Sequence, residues 1–394
     1  MKPKQESVWR NANFIILLVS GAVFSLGSKI YELALPLILY QYTNSAVVMS
    51  TMRGIEFLPN LLLAMFIGVL VDRAHKKRWS LWAILFQMLI LFGLFFSIEW
   101  GIHSNLLFYL CGFLLMMFSY AYFNARASIV KLSLPNEMLI SANSSFNFIS
   151  TLIGIMGPAI TGVILMLSSL HVGLLITAVA FVFVFLILLL LKTDESDSRS
   201  VREGFWKELK EGWVELYRNK TLWLITLTVI FLNSTAGMVD TTVIFYAKDV
   251  LSLTDAKLGL LLSFAGVGGL VGSLIVGKVR ARWSTGPIII VTTLLIGLSY
   301  ILLFSHIYMV VGMGLLLNGL FSTISNVCIW TFRQESTPQQ LIGRISGITG
   351  SVFKLGMPFA IFAAGWISEL THPEFVFLLA FVGNIIIFLF CRYS

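Results

Sequence analysis

Apolar stretches alternate with short polar clusters along almost all of this chain. Twelve stretches can be marked, at about 13–40, 46–71, 80–98, 105–125, 141–167, 171–191, 221–247, 257–278, 286–304, 307–332, 344–367 and 374–391. Each is close to the roughly 20 residues that carry an α-helix across a hydrocarbon core. A helix satisfies every backbone polar group within itself, which lipid requires. The pattern predicts an all-α membrane protein with twelve transmembrane helices. They fall into two six-helix bundles, residues 1–191 and 221–394, joined by a polar linker at 192–220. The first stretch has no small-residue cleavage site after it, so it reads as a span and not as a cleaved signal.

The linker opens with a polar run from Thr193 to Ser200. From Val201 to Arg218 the pattern becomes helical: Trp206, Leu209, Trp213 and Leu216 recur at steps of three and four among charges. That spacing predicts an amphipathic helix at the inner membrane surface. Packing on the bundle and contact with membrane lipids are both compatible with it.

The two halves echo each other. Gly68, Leu70, Arg78, Trp79 and Ser80 return in register 204 residues later as Gly272, Leu274, Arg282, Trp283 and Ser284. A weaker echo links Pro135–Ile140 to Pro338–Gly343, and a proline follows each, at Pro158 and Pro358. Duplicated membrane units with matching basic hairpins are the mark of a pseudosymmetric transporter.

Composition sharpens this picture. The chain is 58% hydrophobic and 12% charged, with a formal net charge of +8 and a mean hydropathy of +0.90. A soluble domain carries about twice that charged fraction. With both termini placed inside, the inner segments hold 22 Lys/Arg and 11 Asp/Glu, and the outer loops two Lys and five acids. Positive charge therefore collects on one side, as the positive-inside rule demands. The basic balance thus sets orientation and gives no reason to invoke nucleic acid. Cys111, Cys328 and Cys391 lie in apolar stretches with no metal-ligand spacing, so they read as small buried residues. His171, His306 and His372 fall in short outer loops and suggest no metal cluster. No phosphate-binding glycine loop occurs, so ATP is not expected to drive this chain, and no cofactor is expected.

The loop after the second stretch is similar to the signature G-x-x-x-D-R-x-G-R-[KR] of the major facilitator superfamily. Gly68, Asp72, Arg73, Lys76 and Lys77 match in kind, while His75 replaces the internal glycine and Val276 replaces the acid in the second copy. In the fifth stretch Gly157, Pro158 and Gly162 resemble the Gly-Pro antiporter motif of exporters in that superfamily, with Thr161 in place of one glycine. A helix kink with close packing explains the same residues without export. Many proton-coupled exporters of the superfamily carry an arginine inside span four. Here no charge precedes Arg126, read as the inner end of that span. The run Tyr122–Pro135 instead resembles the macrolide-efflux and siderophore-exporter branch. The resemblance implies a monomeric secondary transporter in the plasma membrane, both termini cytoplasmic. Its partners would be a small-molecule substrate, protons and membrane lipids.

Charge at membrane depth is costly and marks function by default. Six residues qualify: Lys29 and Glu32, Arg53 and Glu56, Asp240, and Lys354. Each early pair is spaced i, i+3 and shares a helix face. By the resemblance, Lys29, Glu32 and Asp240 face substrate, and Arg53, Glu56 and Lys354 lie where the halves slide. Burial favours a neutral carboxyl unless a cation holds the charge. One of the three acids is therefore expected to take up a proton while the ion pairs break and reform; pairs that only lock helices together are the alternative. In the inner loop Asp72 is expected near the start of span eleven, with Arg73, Lys76 and Lys77 on phosphates or acids, latching the inner side. Positive-inside topology alone is the competing explanation. The polar residues Tyr120, Asn124, Asn233, Asn318 and Asn326 suit either substrate binding or helix-helix hydrogen bonds. The expected activity is proton-coupled efflux of an amphipathic small molecule. An importer or uniporter of a metabolite and a lipid-handling protein are the alternatives. No nucleophile–histidine set or catalytic acid pair suggests an enzyme.

Overall fold

The polar clusters become helix ends. The computed structural model describes residues 8–73, 75–102, 104–135, 169–193, 205–336 and 348–393, with positions 138, 142, 145–146, 148–150, 152–154 and 156–157. Helix α1 runs Ala12–Thr43, α2 Ala46–Arg73, α3 Lys76–Glu99, α4 Asn105–Ser133 and α5 Leu170–Leu189. After them come α6 Phe205–Arg218, α7 Lys220–Asp249, α8 Asp255–Arg280, α9 Thr285–Leu303 and α10 Tyr308–Ser336. Helix α11 covers Met357–Leu370 and α12 Pro373–Tyr393.

Among the described residues ten helices are long and apolar enough to cross a membrane. Nine of them lie in α1, α3, α4, α5, α7, α8, α9, α10 and α12, and the tenth is Ile348–Leu370. The second expected span is helical as α2. The fifth, 141–167, lies largely outside the described residues, and Pro158 and Gly162 with it.

Local chemistry sets the ends. Asn44 takes a left-handed φ of 49° and donates its N–H to Tyr40 O at 2.8 Å, which turns α1 into α2 within two residues. Asn219 caps α7 by accepting from Leu222 N at 3.1 Å. Two ends differ from expectation. Helix α4 continues past 125 to Ser133, because nothing breaks it until Leu134 turns extended (φ −121°, ψ 138°) before Pro135. Span eleven is interrupted: residues 353–356 form turns, and Pro358 stands in the first turn of the new helix. A proline there forfeits no hydrogen bond, so it starts a helix and does not kink one.

The chain forms two compact units. The first comprises Met1–Ile38, Leu58–Gly157 and Leu167–Ser200; the second comprises Leu39–Phe57, Pro158–Met166 and Val201–Ser394. In the first, Phe24 stacks on Phe181 at 5.0 Å and packs on Tyr122 at 4.3 Å. A buried polar chain crosses it, Tyr31 Oη to Ser119 Oγ at 2.8 Å and Ser119 Oγ to Gln87 Oε1 at 2.8 Å. In the second, Ile225, Val229 and Leu232 of α7 join Ile288 and Ile289 of α9, Ile324 and Cys328 of α10 and Ile387 of α12 in one cluster. Helices α8 and α10 approach closely: a β-carbon on Gly268 would strike Leu316 O, and one on Gly319 would strike Ala265 O. Leu106, Leu274 and Phe359 stand exposed on helix faces, the inverse of a soluble surface.

Candidate functional site

Lys29 and Glu32 sit on one face of α1, with Nζ and Oε2 2.6 Å apart. Their side chains are 41% and 19% exposed, so the pair is only partly enclosed by protein. Gly157 lies beside it. A β-carbon at 157 would come within 3.2 Å of Lys29 Cγ. One glycine of the antiporter-like motif thus makes room for the stem of a membrane-depth lysine.

Arg126 lies within α4 and not at its end. It is seven residues from the end of α4, about 10 Å along the helix. Its Nε donates to Leu17 O at 3.1 Å, and its guanidinium lies 4.8 Å from the Phe146 ring centroid. A β-carbon on Gly21 would occupy the space of that guanidinium. The charge read as marking the end of span four is therefore inside the helix.

In the second unit Arg53 Nη1 lies 3.0 Å from Glu56 Oε2, with side chains 18% and 0% exposed. Breaking such a buried pair by removing one partner costs about 3–5 kcal/mol in general. The same stretch of α2 meets α11 through small residues. A β-carbon on Gly365 would fall 2.6 Å from Ser50 Cβ and 3.0 Å from Ala46 O, and one on Gly54 would fall 3.4 Å from Pro358 O. Ala46, Ser50 and Gly54 form an i, i+4, i+8 stripe, the pattern that lets membrane helices touch.

Glu369 closes the turn end of this contact. Its Oε2 accepts from Ser45 Oγ at 2.7 Å and Val47 N at 3.1 Å. An acid in the last turn of its own helix is disfavoured by the dipole, but the first turn of α2 welcomes it. Nearby, Tyr40 Oη donates to Asp249 Oδ1 at 3.5 Å and its ring meets Phe245 edge-on at 5.3 Å. Sequence reasoning missed Glu369 and Tyr40. The one signal that could have pointed there is Ser45, a residue type that favours helix starts, just before α2.

Lys354 stands in the broken segment before α11, where Lys354 N bonds Ser351 O at 3.1 Å and Met357 N bonds Lys354 O at 3.2 Å. Asn233 Nδ2 donates to Phe353 O at 2.9 Å and satisfies a carbonyl the break releases. Gly356 packs so tightly on α7 that a β-carbon there would collide with Ser234 Oγ. Discontinuous helices of this kind mark binding and coupling sites in transporters. Asp240 is exposed on the wall of a cavity of about 260 Å³, with Tyr300, Asn318 and Asn326. Of the other polar candidates, Asn124 bonds Tyr120 O of its own helix at 2.8 Å and Asn318 accepts from Ser322 at 2.8 Å.

In the basic loop, Lys77 Nζ donates to Leu189 O at 2.9 Å and Leu191 O at 2.6 Å, a cation on the C-terminus of α5. Lys76 is buried. The side chains of Asp72 and Arg73 and the surroundings of Gly68 lie outside what is described, as do the side chains of Trp206 and Leu209 in the linker helix.

Paired charges, a broken helix and a polar cavity within stacked apolar helices have a counterpart in sequence. Residues 17–361 match the family model described as Major Facilitator Superfamily. The chain belongs to the major facilitator superfamily. It is 22% identical over 387 residues to macrolide efflux protein A of Streptococcus pyogenes, covering 95% of this chain and 93% of that one. It is 26% identical over 340 residues to a Bacillus amyloliquefaciens protein named as a bacilysin exporter, BacE, covering 84% and 83%. Its fold matches the nucleoside transporter NupG with a TM-score of 0.77 at 13% identity, over 97% of this chain and 98% of that one. A superfamily member of this kind is an integral, multi-pass membrane transporter of small molecules and not an enzyme. The superfamily and the efflux branch expected from the sequence both hold.

Proposed function

We propose that this superfamily member is a twelve-helix exporter that exchanges inward-moving protons for an outward-moving amphipathic small molecule by alternating access. The observation that carries the reading is the near full-length similarity to macrolide efflux protein A. The likeness to BacE supports the same direction of transport. The halves are residues 1–191 and 221–394, the linker is 192–220, both termini are cytoplasmic, and the protein works as a monomer in the plasma membrane.

Glu32, Glu56 or Asp240 takes up the coupling proton, and the pairs with Lys29 and Arg53 break and reform as the protein cycles. The short Lys29–Glu32 and Arg53–Glu56 contacts support this: the cation holds each carboxylate charged while the pair is closed, and a carboxylate left buried when the pair opens favours its protonated form. Lys354 acts at the hinge of span eleven. The contact of Ala46–Gly54 with Pro358–Glu369 serves as the outer gate. Asp72, Arg73, Lys76 and Lys77 form the inner one.

The test uses inverted vesicles with an acidified interior, challenged with lipophilic cations, macrolides and catechol-type chelators. Compound-triggered proton release that disappears in Glu56→Gln is the expected result. Full release in Glu32→Gln, Glu56→Gln and Asp240→Asn alike would sink the coupling assignment. No release for any compound, with folded and oriented protein, would favour uniport or import.

A further inference from the structure

Helix α6 divides its surface sharply. Leu216 is buried against Leu222, Ile348 and Val352, while Trp213 and Tyr217 are exposed. With Trp223 and Leu227 of α7 and Phe390 of α12, the exposed rings line a groove of about 930 Å³. Tyr217 and Trp223 meet edge-on at 5.5 Å. Arg218 and Lys220 also line it, Arg218 at the last residue of α6 and Lys220 at the first of α7. From Lys220 to Leu227 the apolar wall runs about 10 Å along α7.

The two cations have different reasons for being there. Arg218 ends α6, where the helix dipole favours a cation; Lys220 begins α7, where the dipole disfavours one. Between them Asn219 caps α7 and donates from Nδ2 to Ser336 O at 3.3 Å, so the joint carrying both charges is tied to α10. Helix stability does not account for Lys220. Positive-inside topology accommodates a lysine here, and an anion seated at the joint would engage it together with Arg218.

An apolar groove lined also by two cations fits a molecule with a long apolar part and a single anionic head. The groove also lies where one membrane helix begins and another ends, the level of aromatic rings and basic residues in membrane proteins. We propose that it binds one anionic phospholipid, with the phosphodiester on Arg218 and Lys220 and an acyl chain along Trp223, Leu227 and Phe390. The lipid fastens the amphipathic helix to the bundle. This inference rests on the chain being a membrane protein and is independent of export or proton coupling.

The full-length protein is reconstituted in phosphatidylcholine vesicles containing a minor fraction of lipid with brominated acyl chains, either phosphatidylglycerol or phosphatidylcholine, and tryptophan quenching is read. Brominated phosphatidylglycerol should quench with an apparent affinity on the order of tenfold higher. The excess should vanish in Arg218→Gln/Lys220→Gln and in Trp213→Phe/Trp223→Phe, and shrink in high salt. Equal quenching by the two lipids would overturn the proposal, as would an excess that survives both double variants. Displacement by soluble glycerol phosphate would indicate a free-anion site and reject the lipid. Should the charge variant fail to fold, the tryptophan variant and the salt titration of the unaltered protein decide.

Discussion

Gly157 stands against the stem of Lys29, close enough that a β-carbon at 157 would lie 3.2 Å from Lys29 Cγ. The lysine is held 2.6 Å from Glu32. The glycine therefore packs against one member of an ion pair. Alanine asks the flexible stem to give by a few tenths of an ångström, and Gly157→Ala should change stability by under about 1 kcal/mol. Valine cannot be accommodated so cheaply, and Gly157→Val should cost about 1–3 kcal/mol. Lys29→Ala should relieve most of the valine penalty. Thermal unfolding of the three proteins in detergent checks this, and an unrelieved penalty would separate the glycine from the lysine.

Gly21 and Arg126 make a sharper case. The guanidinium fills the space a β-carbon at 21 would take, and its Nε bonds Leu17 O at 3.1 Å. Gly21→Ala should expel the guanidinium and cost about 1.5–3 kcal/mol, the range for a hydrogen bond to a charged group. In an Arg126→Met background the same substitution should be neutral or stabilising, since alanine is favoured over glycine in a helix by about 1 kcal/mol. A reversal of sign between the two backgrounds, measured by unfolding, is the expected outcome.

The helices were legible because lipid imposes a length and a polarity that a single chain displays openly. Arg126 shows where that stops. A cation after a long apolar run resembles a helix end, yet α4 continues about two turns beyond it because the first helix breaker is Pro135. Lys29, Glu32, Arg53 and Glu56 could be paired from i, i+3 spacing alone. The approach of Gly157 to Lys29, or of Glu369 to Ser45, joins residues over a hundred positions apart and depends on packing that no local pattern encodes. The role of Pro358 was not legible for the opposite reason: proline is as comfortable starting a helix as bending one, and only the turns at 353–356 distinguish them.

Glu369 accepts from both Ser45 and Val47, so its removal should loosen the start of α2 locally. Glu369→Ala should speed amide exchange at Val47 by roughly fivefold, the loss of about 1 kcal/mol of capping. Glu369→Gln keeps an oxygen acceptor and loses only the charge, so its effect should be smaller. Hydrogen–deuterium exchange over residues 45–48 separates the two. Equal exchange in all three proteins would show that the carboxylate does not hold this end of α2.

Gly356 ends the broken segment that carries Lys354, and a β-carbon there would collide with Ser234 Oγ. The hydroxyl is fixed, because it donates to Ile230 O at 2.7 Å on its own helix. Gly356→Ala should therefore cost about 1–3 kcal/mol through overpacking. Ser234→Ala alone gives up only a back-bond within α7 and should be close to neutral. Combined, the two should recover most of the loss, with a coupling of about 1 kcal/mol or more, because each change bears on the same contact. Transport gives a second readout. If the break must move for the protein to cycle, Gly356→Ala will slow transport beyond what the folded fraction explains, and Ser234→Ala will restore both together. Restored stability with transport still slow would place the requirement in the backbone freedom of residue 356 itself. The contact with α7 would then be structural only.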